Sequence, residues 1–167
     1  MSSSIYLAVP VMVVLSILQS AFLTRFPILG VVPQLPLLVA LSWGFLHGVN
    51  EGVMWAFWAG IALDLFSAGP MGASAMAFIG GVTLATWVEQ ALPQSRIFIP
   101  PLLTALATFI SMFLYLLLLR LLGRPILVQS LLDSLPLLLV HAGLILPIYW
   151  MTAGFERLVT VRGSRIS

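Results

Sequence analysis

At 167 residues, with 61% of them hydrophobic and 7% charged, the chain has too few polar side chains to cover a water-soluble domain, and its solvent must be largely lipid. The seven basic residues are all arginine and stand against five acids, so the net charge of +2 reflects sparse charge rather than a basic surface and does not indicate nucleic-acid binding. No cysteine is present to form a disulfide or a thiolate site, and the two histidines, His47 and His141, lack the spacing of a metal-ligand pair.

A helix needs about 20 apolar residues to cross the hydrocarbon, with about 17–25 as the working range. The first such run covers residues 4–24 and stops at Arg25-Phe26-Pro27. No basic residue precedes it and it exceeds the length of a secretory h-region, so it reads as a retained span. The second, 33–47, opens on Pro33, a residue suited to a first helical turn, and the third covers 51–67. Both are short, which implies a locally thinned membrane or helices that lean on their neighbours. A fourth span, 73–91, ends in a polar connection, and a fifth, 99–122, tolerates Pro100 and Pro101 because they sit in its first turn. Residues 126–134 read as an interfacial amphipathic segment, and a sixth span, 136–155, is interrupted by Pro147.

The expected fold is therefore an all-α integral membrane protein, a single six-helix transmembrane bundle. Six spans place both termini on one side, with Arg96, Arg157, Arg162 and Arg165 there against Arg25, Arg120 and Arg124 opposite, so the termini are expected to be cytoplasmic.

Asp64 is the residue that most needs explaining, because a carboxylate ending an apolar run is costly and calls for a partner. Glu51 lies thirteen residues earlier, about 20 Å along a helix at roughly 1.5 Å per residue, which excludes a catalytic pair. A carboxylate near a helix C-terminus is opposed by the helix dipole, so compensation is expected from Arg120 or Arg124, or from N–H groups at the start of the fourth span. An ion pair with one of the two arginines is the specific expectation, and solvation by interfacial water is the alternative. Asp64 is also expected to anchor the outer end of its span to the Gly69-Pro70-Met71-Gly72 turn and so hold a partner-binding surface in shape.

Gly44, Gly48 and Gly52, spaced by four, and Gly60 in register with Asp64 are the small residues that let helix backbones approach closely. His141 stands without a second acid at helical spacing, so a hydrogen bond to a backbone carbonyl or a serine is favoured over a proton or substrate site. The tryptophans fall mostly toward span ends, where an amphipathic ring suits the interface. No Gly-x-Ser-x-Gly, Walker loop or His-Glu-x-x-His is present, and Ser74 and Ser111 have no nearby base, so neither enzymatic chemistry nor a cofactor is expected.

The pattern Glu51-Gly52, Phe57, Gly60, Asp64-Leu65, Ser67, Pro70, Gly72 and Ala75 resembles the central signature of the rod shape-determining protein MreD family. The order of features agrees over nearly the whole chain, although Gln34 stands where an acid is common in that family. The resemblance implies a non-enzymatic subunit of the bacterial cell-elongation complex in the inner membrane. Such a subunit would bind the single-span MreC protein and, directly or through it, the MreB filament, the SEDS polymerase and its penicillin-binding transpeptidase, supporting lateral peptidoglycan synthesis. It marks Gly52, Gly60, Asp64, Pro70 and Gly72 as structural or partner-surface residues. The family core is also similar to the S component of energy-coupling-factor transporters, which makes a small solute-binding membrane subunit the alternative function. Fold likeness alone transfers no activity.

Overall fold

In the computed structural model, the described backbone comprises residues 2–92, 98–124, 132 and 135–163. Its six α-helices are α1 (Ser2–Ala21), α2 (Leu35–His47), α3 (Val49–Leu65), α4 (Ala73–Ala91), α5 (Ile99–Leu121) and α6 (Leu135–Gly163). A 3-10 turn, Leu23–Arg25, follows α1. There is no strand among the described residues; Ile28 and Val31 exchange two backbone hydrogen bonds of 2.9 and 3.0 Å across a tight turn. Apart from Leu132, the expected interfacial segment 126–134 lies outside the described residues.

Among the described residues three stretches are long and apolar enough to cross a membrane: Tyr6–Arg25, Ile99–Leu121 and Leu135–Phe155. The helix α2 is apolar but shorter, and its shortness follows from its position. It packs against each of the other five helices, and Leu37, Leu38, Ala40 and Leu41 are completely buried. Around it the remaining helices follow the order α1, α3, α4, α5, α6. Because α2 is enclosed by protein, it need not match the full hydrocarbon thickness of about 30 Å.

Glycines set the closest approaches. Only Gly48, at φ +91°, separates α2 from α3, and the two helices fold back on each other at Gly44 and Gly52. A Cβ on Gly52 would lie 2.8 Å from the Gly44 Cα, so neither position admits a side chain without parting the pair. Gly60 of α3 rests directly on the backbone of Ser74 and Ala75 at the start of α4. Gly81 of α4 similarly meets Ser111 and the Ala107 carbonyl of α5.

Among the described residues the ring of helices does not close between α1 and α6, which are not packed side by side along their lengths. Between them an open groove of about 400 Å³ reaches down to α2 and α3, lined by apolar groups that include Val11, Val39, Trp43, Trp55, Ile148 and Phe155.

Candidate functional site: the Asp64 cap and a buried polar tie

Asp64 is 2% exposed at the last turn of α3. Its carboxylate accepts the Gly72 N–H at 2.7 Å and the Ser74 N–H at 3.1 Å on the same oxygen, with a longer 3.3 Å contact from Ser74 to the other. These are donors from the unpaired N-terminus of α4, so an anion on one helix caps the positive end of the next. Local sequence makes this possible: Gly72 adopts φ +88° to aim its N–H inward, and the Pro70 carbonyl accepts the Ala73 N–H at 3.2 Å. Ser67 knits the same turn, donating its N–H and hydroxyl to the Asp64 carbonyl at 3.2 and 3.3 Å.

The structure thus brings Gly60, Asp64, Pro70 and Gly72 together around one interhelical turn, while Gly52 lies apart at the α2–α3 crossing. The ion pair expected with Arg120 or Arg124 is absent among the described residues. Both arginines are exposed at the end of α5, and the backbone donors of α4 occupy the carboxylate instead.

A second polar arrangement lies within the apolar core. The helix α2 starts at half-buried Gln34 and Leu35, packed among its neighbours, and its first N–H groups take protein acceptors. The Gln34 N–H donates to His141 Nε2 at 2.9 Å, and the Leu35 N–H donates to Gln19 Oε1 at 3.0 Å. The start of α2 is therefore held by one side chain from α6 and one from α1. On its other side, His141 Nδ1 meets Thr108 Oγ1 at 2.8 Å, and that hydroxyl donates to the Thr104 carbonyl at 2.7 Å.

Donor and acceptor roles in this chain are mutually consistent in one assignment. An imidazole nitrogen accepting an N–H carries no proton, so the proton of neutral His141 resides on Nδ1 and is donated to Thr108. His141 cannot then act as a base toward that hydroxyl, although the pair superficially resembles a nucleophile and its base. With His141 at 0% and Thr108 at 1% exposure, the arrangement is a structural tie between α2, α5 and α6.

Sequence reasoning assigned His141 a carbonyl or serine partner; the observed partners are a backbone N–H and a threonine. It missed Gln19 altogether. The available signal was an amide in an otherwise apolar span, since such a group is buried only with a partner.

At the opposite end of α2, Trp43 stacks on both His47 and Trp55, with ring centroids 4.3 and 4.2 Å apart, and its indole N–H points to Glu51 Oε2 at 3.4 Å. Trp87 and Trp150 are each 68% exposed, as rings meeting lipid or its interface would be. No group of three metal-ligating side chains occurs among the described residues.

A central helix capped by buried side chains, surrounded by apolar helices that expose leucine, phenylalanine and methionine, defines a polytopic helical membrane protein. The family description of rod shape-determining protein MreD matches residues 1–159, and the chain belongs to that family. It is accordingly a rod-shape-determining membrane protein of a family not known for enzymatic activity. No curated protein and no solved structure matches the chain.

Proposed function

We propose that the protein is a non-enzymatic scaffold subunit of the bacterial cell-elongation complex. It resides in the cytoplasmic membrane with both termini inside, all six helices crossing or lining the bundle. Its direct partner is the MreC-like single-span protein. Through that partner it supports lateral peptidoglycan synthesis by the SEDS polymerase and the penicillin-binding transpeptidase, under the MreB filament.

The observation that carries this reading is the unfilled groove between α1 and α6. A single transmembrane helix is the simplest object that completes the ring around α2, and an open groove with apolar walls suits helix packing rather than solute recognition. A solute-binding transporter subunit, by contrast, would need its main recess lined with convergent polar groups, and the walls of this groove are almost entirely apolar. Asp64 and the His141 tie maintain the helices that form the groove walls. Co-purification of this chain with the MreC-like protein from membranes tests the reading. Stable association is expected, and failure to associate when both proteins are folded in one membrane would refute it.

A further inference from the structure

Across the bundle from the α1–α6 opening, a second open groove of about 370 Å³ lies between α3, α4 and the last turn of α5. The small residues Gly72, Ala73 and Ala75 leave the recess, and Phe57, Ile79 and Leu122 stand on its three walls. From Ala73 to Ile79 it descends along α4 for about 9 Å at roughly 1.5 Å per residue, so it begins at the helix ends and enters the apolar spans.

No charged side chain lines the groove, but two cations stand at its mouth. Gly123 takes φ +75° and donates its N–H to the Arg120 carbonyl at 3.0 Å, while the Arg124 N–H returns to the Leu119 carbonyl at 3.1 Å. This closure holds the Arg124 backbone against the last turn of α5, two residues beyond the wall residue Leu122. Arg120 directly precedes another wall residue, Leu121. Both arginines are exposed, and neither forms an ion pair among the described residues. Asp64, at the same end of the bundle, is buried and committed to Gly72 and Ser74.

These charges sort the possible occupants. Copies of this chain share one orientation in a membrane, so a second copy would bring its own arginines to this end, while Glu51 and Glu89 stand at the opposite ends of α3 and α4. A polar solute would find no polar side chain on the walls. A phospholipid is apolar along its chains and anionic at its head, and basic side chains beside clefts between membrane helices hold such heads.

We infer that this groove is a docking site for an anionic phospholipid, with one acyl chain between α3, α4 and α5 and the phosphate at Arg124, Arg120 adding charge beside it. The site belongs to this chain alone and does not rest on its association with a partner, so its test is performed without one.

Native mass spectrometry of the full chain tests it, with the protein released from detergent that contains equal amounts of phosphatidylglycerol and phosphatidylcholine bearing identical acyl chains. A severalfold excess of retained phosphatidylglycerol is expected. Arg124→Gln should reduce that preference and the double variant Arg120→Gln, Arg124→Gln should remove it. Met76→Trp, which adds bulk at a groove residue, should lower retention of both lipids. Arg25→Gln, at the end of α1, should leave the preference unchanged, as should excess glycerol phosphate, which carries the anion without the chains. Equal retention of the two lipids would overturn the inference, as would a preference untouched by the double variant, an equal loss with Arg25→Gln, or retention unaffected by Met76→Trp. Displacement by glycerol phosphate would mark a site for the free anion, and a lipid-free dimer would assign the groove to a second copy; either result also overturns it.

Discussion

The backbone N–H of Gln34 donates to Nε2 of His141 at 2.9 Å across 107 positions of sequence, fastening the half-buried start of α2 to the second turn of α6. This bond gives a protein acceptor to one of the N–H groups at the start of a helix too short to span the hydrocarbon. Replacing His141 by Phe keeps much of the ring volume and removes the acceptor. Leaving the Gln34 N–H unsatisfied should destabilise the bundle by about 1–3 kcal/mol. Thermal unfolding in detergent, followed by loss of helical signal or by aggregation, measures this. An unchanged midpoint would mean that the donor finds another acceptor.

Gln19 performs the equivalent task one residue later, for the Leu35 N–H. Gln19→Leu should therefore destabilise by a similar amount, about 1–3 kcal/mol, despite increasing the apolarity of α1. Because the two side chains cap adjacent N–H groups of one helix start, their effects should not add. Once one cap is lost and the first turn of α2 loosens, loss of the second costs less. The double variant Gln19→Leu, His141→Phe in a double-mutant cycle reads that coupling, and strict additivity would show that the two caps act independently.

Asp64 should depend on its N–H donors rather than on arginine. Asp64→Ala exposes the Gly72 and Ser74 N–H groups to an apolar setting, and a loss of about 1–3 kcal/mol is expected. Asp64→Asn, which retains one acceptor oxygen, should lose less. Combined with Arg120→Ala or Arg124→Ala, the Asp64→Asn effect should add independently, since neither guanidinium contacts the carboxylate. A clear interaction energy in either cycle would restore the ion pair.

The glycines differ in their tolerance of a methyl group. A Cβ at Gly60 would fall 2.6 Å from the Ser74 carbonyl carbon, within the turn that Asp64 caps. Gly60→Ala should push α3 from α4 and cost about 1–3 kcal/mol, the usual range for overpacking. Nothing lies within 4 Å of the corresponding point at Gly154, on an exposed face of α6. Gly154→Ala should be neutral or stabilising by up to about 1 kcal/mol through helix propensity. Melting curves of the two variants side by side provide the check, and equal sensitivity would contradict the close α3–α4 approach.

These contrasts also show which features could be read from sequence. An all-helical membrane protein was legible because apolar runs and Gly/Pro breaks are local signals. The Asp64 cap was partly legible, since a Gly-Pro-x-Gly turn places the next helix start within ten residues of the carboxylate. Its expected arginine partner was not realised because backbone donors were closer at hand, and formal charge does not reveal them. The His141 tie was hidden for a different reason: Gln34 contributes its backbone N–H, which every residue but proline possesses, so no residue pattern marks it. The shortness of α2 was visible, whereas its central position depends on packing among helices distant in sequence.

The central claim is that the α1–α6 groove receives the single transmembrane helix of the MreC-like partner. Site-directed disulfide formation tests it most directly, using the cysteine-free chain with Val39→Cys or Ile148→Cys and a scan of single cysteines along the partner's helix. The expected result is efficient cross-linking from both groove positions with a helical periodicity in the partner, and little from Met76→Cys on the exposed face of α4. Cross-linking that favours Met76→Cys, or that is equally weak from every position while the proteins co-purify, would contradict the groove as the docking site.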